Sequence, residues 1–141
     1  MVELSFFWHM HQPDYRDAEG SMRMPWVFLH AIKDYYDMPW LVSRFPRLKA
    51  SFNITPSLME QLLLYEKEGV VCDRFLSLWV KSPQSLSSDE YDWVLKICRS
   101  SRFETMVKPL PRYAELYEKK RLDPNEFVEF EVLFMLAWCG N

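Results

Sequence analysis

Residues 2–13 have the sequence VELSFFWHMHQP, and the fold prediction for the whole chain starts from this stretch. Its first eight residues are apolar and aromatic, which is typical of a short strand buried in a sheet. Pro13 lacks the backbone N–H that a sheet ladder requires, so we expect the strand to stop before it. Two histidines, His9 and His11, therefore come at the carboxyl end of a predicted first strand.

The first predicted strand is followed by a helix, and a second strand and helix come after it. Residues 27–45 carry apolar side chains at three- and four-residue steps, which predicts a helix that Pro39 kinks or divides. Residues 48–54 predict a second strand, and Thr55 followed by Pro56 predicts the start of another helix. The first half of the chain therefore predicts two consecutive strand–helix units.

The second half of the chain shows no convincing strand and several helix starts. Residues 73–79 predict a short helix, and a capping box at 87–90 begins another. Residues 111–120 form a further candidate helix. An aspartate, a proline and a glutamate at 123–126 give a strong start to a last helix that runs to about residue 138.

Together these elements predict an α/β fold with two parallel strands followed by a mainly helical segment. Two parallel strands cannot close a sheet, and parallel sheets are stable only when both faces are covered. A complete α/β barrel typically needs about 250 residues, whereas this chain has 141. We therefore interpret residues 1–141 as one domain, the N-terminal part of a larger TIM-like barrel.

Composition and charge exclude several classes of function. The chain has 17 Lys and Arg against 20 Asp and Glu, a formal net charge of −3, and no basic patch for nucleic acid is visible. No apolar run approaches the roughly 20 residues that span a bilayer. Three widely spaced cysteines (Cys72, Cys98 and Cys139) fit neither a disulfide framework nor a zinc ribbon. With no visible secretory signal, they predict a reduced, cytoplasmic location.

The densest group of chemically active side chains is the cluster that begins at His9. Residues two apart in a strand point to the same face, so His9 and His11 can present two imidazoles to one space. In α/β barrels the carboxyl ends of the strands form the active-site face. Three interpretations stay open on this evidence: metal ligands, hydrogen-bonding groups for a polar substrate such as a sugar, and structural histidines.

The motifs around this cluster carry a family resemblance. HMHQP at residues 9–13, followed by MPWVFLHAIKDYYD at 24–37, resembles the N-terminal part of glycoside hydrolase family 57. Three further stretches fit its amylase-like members: FNITPSLMEQL at 52–62, PLPRY at 109–113 and LAWCG at 136–140. Each motif is short, but their shared order and spacing make the resemblance specific.

The resemblance implies a (β/α)7 barrel that acts on α-glucans or maltooligosaccharides with retention of anomeric configuration, without a cofactor. The His-Gln-Pro triplet resembles the first signature of the family. It implies that His11 and Gln12, with His9 beside them, line the subsite next to the cleaved bond. Because the family is not known for a catalytic metal, the resemblance favours a sugar over a metal ion at these histidines.

Two carboxyl groups about 5–5.5 Å apart are needed for a retaining mechanism. The resemblance implies that these two groups belong to a glutamate and an aspartate in later signature regions, beyond the end of the chain. We therefore expect no catalytic residue in these 141 residues and no activity from this chain alone. Asp14 and Asp17 are expected to serve the loop, and Glu126 a helix start. His30 and Asp34, four residues apart, are expected to form a pair on a helix surface.

Two other residues are candidate substrate contacts. Asn53 lies near the end of the second strand and could face the same cavity as the histidines or cap a turn. Trp26, in or beside the long first loop, could stack on a sugar ring.

Two alternative functions and two partners complete the expectations. The first alternative is a metal-dependent hydrolase, similar to a polysaccharide deacetylase barrel, with His9 and His11 as ligands. The second is a non-catalytic sugar-binding or interaction module. Besides the glucan, we expect the remainder of the barrel as a partner, or self-association through exposed apolar area.

Overall fold

The computed structural model describes residues 4–139. The first elements are β1 (Phe6–Met10), α1 (Trp26–Ala31), α2 (Asp34–Ser43), β2 (Ala50–Ile54) and α3 (Pro56–Glu68). They are followed by α4 (Arg74–Trp79), α5 (Ser88–Cys98), α6 (Pro111–Glu118) and α7 (Pro124–Trp138). The described chain divides into two compact units, residues 4–74 and Phe75–Cys139.

The two strands pair in parallel, as the sequence predicts. The register runs from Phe6 opposite Ala50 to Met10 opposite Ile54. The predicted start of the first strand at residues 2–3 lies outside the described residues. From residue 75 to 139 the described chain contains helices and turns without a strand. The mixed α/β class is thus confirmed, while the closed barrel stays a prediction.

Alternate residues of β1 build the core of the first unit. The side chain of Met10 is buried in a cluster that also contains Met22, Val27, Leu58 and Cys72. Trp8 stacks on Phe52 of the neighbouring strand with ring centroids 5.4 Å apart. Because side chains alternate along a strand, packing the even-numbered residues on this core leaves the odd-numbered ones on the opposite face.

The helix predicted over residues 27–45 is divided, but not at Pro39. α1 gives way at Ile32 and Lys33, and Pro39 lies inside α2. Lys33 adopts φ −122° and ψ −92°, outside the helical region, and its carbonyl accepts from the N–H groups of Tyr36 and Asp37. The helix therefore restarts before Pro39. Pro39 is the sixth of the ten residues of α2, so its missing N–H removes one hydrogen bond inside that helix without dividing it.

The buried amide of Gln61 fastens the loop after β1 to α3. The side chain is completely buried, and its oxygen accepts from the backbone N–H of Tyr15 at 3.0 Å. Its nitrogen donates to the carbonyls of Pro13 at 3.1 Å and Ser57 at 3.2 Å. One side chain thus satisfies two backbone groups of the loop that follows His11 and Gln12.

In the second unit, an aromatic core is held between capped helices. α5 and α7 both begin with complete capping boxes, Ser87 with Glu90 and Asp123 with Glu126, as the sequence predicts. The hydroxyl of buried Tyr113 donates to the carbonyl of Cys98 at 2.5 Å.

α7 spans 15 residues, and no helix between residues 4 and 139 combines the length and apolarity needed to cross a membrane.

Glu131 is an acidic residue inside this second core. Its side chain on α7 is 3% exposed, and within residues 4–139 its Oε1 has no hydrogen-bond partner. Removal of the carboxyl group from water raises its pKa to about 8. Near neutral pH the folded protein therefore holds this group as an uncharged acid.

We expect Glu131 to make the folded state less stable as the pH rises. Because its pKa is raised on folding, the native chain binds the proton more tightly than the unfolded chain. Stability should therefore fall between the ordinary glutamate pKa of 4.5 and the folded value of about 8. Urea unfolding measures the free energy of unfolding of Glu131→Gln and of the wild type at pH 5 and pH 8. The stability of the variant relative to the wild type should be higher at pH 8 than at pH 5, by roughly 1 kcal/mol or more. A stability difference between the two proteins that is the same at both pH values would contradict this account.

We also expect Gln61→Leu to lower the free energy of unfolding by about 2 kcal/mol, because two loop backbone groups lose their partner while the apolar volume is kept. Urea denaturation followed by circular dichroism measures the change. Gln84→Leu, at an exposed glutamine, is the matched control and should change stability by less than about 0.5 kcal/mol. Equal losses in the two variants would show that the Gln61 bonds do not anchor the loop.

Candidate functional site

The outer face of the sheet carries polar side chains at the carboxyl ends of both strands. His9 lies opposite Asn53 in the parallel register. Its Nδ1 is 2.7 Å from the Oδ1 of Asn53. Because an amide oxygen can only accept, the proton of the neutral imidazole sits on Nδ1 and a lone pair sits on Nε2. Asn53 therefore fixes the tautomer that His9 offers to its surroundings.

His11 follows the end of β1 and lies on the same face as His9. The two imidazole rings are nearly parallel, at 13°, with centroids 6.0 Å apart. The Nδ1 of His11 is 3.4 Å from the hydroxyl oxygen of Thr55, the residue that precedes α3. The chain therefore brings two imidazoles into one space, as alternation along a strand requires.

Gln12 is held from the loop that Gln61 fastens. The hydroxyl of Tyr15 donates to the Oε1 of Gln12 at 3.2 Å. This bond leaves the amide nitrogen of Gln12, a double donor, to serve other groups. Gln12 thus adds donors to a site where His9 supplies an acceptor.

His9, His11 and Gln12 line a cavity of about 350 Å³. Its walls come from two segments, residues Trp8, His9, Met10, His11 and Gln12 along β1, and residues His30, Asp34, Tyr35 and Met38 from α1 and α2. None of these lining residues belongs to β2, and both faces of β1 contribute. The cavity therefore lies between β1, with the two residues that follow it, and the helices α1 and α2. Its volume falls at the lower end of the range for small-molecule sites, about 300–1,000 Å³.

The second wall contains a histidine–carboxylate pair. The Nδ1 of His30, near the end of α1, is 2.5 Å from the Oδ2 of Asp34, the first residue of α2. A carboxylate only accepts, so His30 also carries its proton on Nδ1 when it is neutral. The ring of Tyr35 lies with its centroid 6.1 Å from that of His30. The sequence predicts this pair on the surface of one helix, whereas in the structure it joins the end of α1 to the start of α2, and both side chains line the cavity.

Trp26 and Asn53 stand outside the cavity wall. Trp26 is the first residue of α1, and it is absent from the set of described residues that line the cavity. Asn53 also does not line it and reaches the site only through its bond to His9. The stacking of Trp26 on a sugar therefore stays a prediction, and Asn53 acts on the orientation of His9.

The acidic residues near the histidines are engaged in the loop. Both carboxylate oxygens of Asp14 accept from the Arg16 guanidinium, at 2.9 and 2.7 Å, and these bonds hold the pKa of Asp14 at about 2. Asp17 accepts from the backbone N–H groups of Glu19 and Ser21 and closes a turn. Both residues thus have the loop roles that the sequence predicts.

Between residues 4 and 139, no three His, Cys, Asp or Glu side chains come close enough together to hold a metal ion. The Nδ1 atoms of His9 and His11 face the uncharged oxygens of Asn53 and Thr55. Of the residues that line the cavity, Asp34 alone is a carboxylate, and it is bonded to His30. The described site can thus recognise hydroxyl groups through imidazole and amide groups. It does not contain the carboxyl pair of a retaining glycosidase.

Comparison with known proteins gives the family. The sequence model of glycosyl hydrolase family 57 matches residues 5–141, which is nearly the whole chain. Neither the curated proteins nor the solved structures contain a significant match. The family match includes the His-Gln-Pro triplet and both walls of the cavity. The chain belongs to glycosyl hydrolase family 57.

Proposed function

We propose that this chain forms part of an enzyme that cleaves or transfers α-glucans with retention of configuration, and that the cavity along β1 binds a glucosyl unit of the substrate. Family membership supports the class of reaction. The observation that carries the proposal is the pair of parallel imidazoles, His9 and His11, beside Gln12 at the carboxyl end of a parallel strand. In α/β barrels this end of the sheet is where substrates bind.

The chemistry of the cavity suits a sugar. A glucosyl unit presents hydroxyl groups that both donate and accept hydrogen bonds. The Nε2 atom of His9 accepts, because Asn53 places the proton on Nδ1. The amide nitrogen of Gln12 donates, because Tyr15 occupies the oxygen. Trp8, Met10 and Met38 add apolar surface to the same walls, which suits the C–H faces of a sugar ring.

We propose that the histidines and Gln12 bind the substrate and that the two catalytic carboxyl groups come from residues outside this cavity wall. The only carboxylate in the wall, Asp34, already serves His30. A single carboxyl cannot act both as nucleophile and as acid/base, and the reaction needs two of them about 5–5.5 Å apart. The rest of a barrel would supply these two carboxyl groups and would also enclose the bound substrate.

We also propose that the protein works in the cytoplasm. We further propose that a second copy of the chain can cover the exposed apolar side chains at the start of β1. Phe7 is 67% exposed on the outer face of the sheet, and Leu4 is 76% exposed just before β1. Exposed apolar side chains this close together favour association with another surface. Light scattering of the purified chain should show oligomers if this contact forms.

His11→Ala should weaken the binding of maltoheptaose by roughly fivefold to tenfold, because a neutral hydrogen bond contributes about 1 kcal/mol. Titration calorimetry of the 141-residue chain measures the change. Ser51→Ala is a matched control, since Ser51 is exposed on β2 and does not line the cavity. Equal affinities in the two variants, or a stoichiometric metal ion that His11→Ala releases, would contradict the proposed role of the histidines.

The 141-residue chain on its own should release no reducing sugar from amylose and should not lengthen maltooligosaccharides. The physical reason is that its cavity wall holds one engaged carboxylate instead of a catalytic pair. Chromatography of the sugars after long incubation tests this. Turnover that survives Asp34→Asn would locate a carboxyl pair elsewhere in the chain and overturn the assignment, and turnover abolished by Asp34→Asn would make Asp34 catalytic.

A further inference from the structure

The hydroxyl group of Tyr35 is an unsatisfied polar group in the wall of the cavity. Its oxygen is buried, and it has no hydrogen-bond partner among residues 4–139. The side chain of Gln12 lies close to it, but the oxygen of Gln12 accepts from Tyr15 and no well-formed bond joins Gln12 to Tyr35. Both side chains line the same cavity.

A phenol in this position is costly to the free protein. A buried polar group without a partner destabilises the folded state relative to one that is hydrogen-bonded. Phenylalanine would fill the same space without that cost. Burial raises the pKa of Tyr35 and outweighs the neighbouring Gln12 amide, which acts in the opposite direction, so the phenol stays protonated and remains a donor.

The neighbours of Tyr35 hold its ring in place. Asp34 fixes the ring of His30 through the bond at 2.5 Å, and that ring lies beside the ring of Tyr35. Close to Tyr35, the side chain of Gln12 is restrained by Tyr15. A substrate hydroxyl group that enters the cavity beside Gln12 and Tyr35 can therefore accept a hydrogen bond from the phenol or from the amide nitrogen of Gln12.

We infer that Tyr35 is a substrate-binding residue whose phenol donates a hydrogen bond to a hydroxyl group of a bound α-glucan. The inference rests on the proposed function and adds a residue from the α2 wall to the His9, His11 and Gln12 wall. The glucan then bridges two segments that are far apart in sequence. It also satisfies a polar group that the free protein leaves without a partner.

Tyr35→Phe tests this inference, because it removes one oxygen atom and keeps the ring. Titration calorimetry with maltoheptaose should show a dissociation constant about fivefold to tenfold higher than that of the wild type. Urea unfolding should show a variant at least as stable as the wild type, since no bond within the protein is lost. Tyr36→Phe, at the neighbouring tyrosine that is 59% exposed and does not line the cavity, is the matched control and should change neither quantity.

Three results would overturn the inference, and they are distinguishable. Unchanged affinity of Tyr35→Phe, with a wild type that binds maltoheptaose, overturns the role of Tyr35 and leaves the proposed function standing. A clear loss of stability in Tyr35→Phe shows that the protein itself satisfies the phenol. Failure of the folded wild type to bind maltoheptaose overturns the proposed glucan site, and the role of Tyr35 with it.

Discussion

Parallel pairing aligns β1 with β2 over five residue pairs, from Phe6 with Ala50 to Met10 with Ile54. This register places His9 beside Asn53 and brings Thr55 within reach of His11. A shift of one residue would turn every side chain of a strand to the other face. His9 would then enter the core, and its tautomer would no longer be set by Asn53. The burial of Met10 and the Trp8–Phe52 stack hold the register, so the packing of the core decides the chemistry of the opposite face.

The site also depends on how the chain leaves β1. Gln61 binds the backbone on both sides of Asp14, at Pro13 and Tyr15, and Tyr15 in turn holds Gln12. A buried amide on a regular helix therefore fixes the start of the loop that carries Gln12. The other wall is built differently, because Asp34 restrains His30, only four residues away, across the break between α1 and α2. The cavity thus has one wall ordered by a distant residue and one ordered locally.

Much of the fold follows from local patterns in the sequence. The strand ending before Pro13, the helix starting at Pro56 and the capping boxes at Ser87 and Asp123 depend on side chains near in sequence, and the structure has all of them. The sequence predicts the break in the first helix at Pro39, whereas the structure has it at Lys33. Lysine is an ordinary helix-forming residue, so nothing in the sequence indicates a break there. The His9 and His11 wall could be predicted from alternation along a strand. The wall of His30, Asp34 and Tyr35 could not, because the packing of α1 and α2 against β1 is a tertiary contact that no local motif encodes.

The buried carboxyl of Glu131 has an effect beyond the helix that carries it. The formal net charge of −3 counts every acidic side chain as ionised. With a pKa of about 8, Glu131 keeps its proton at neutral pH, so the folded chain carries a net charge of about −2 there. Unfolding releases that proton and restores the missing negative charge. Native and unfolded molecules of identical mass therefore differ in electrophoretic charge, and the acidity of the solution shifts slightly whenever the protein unfolds.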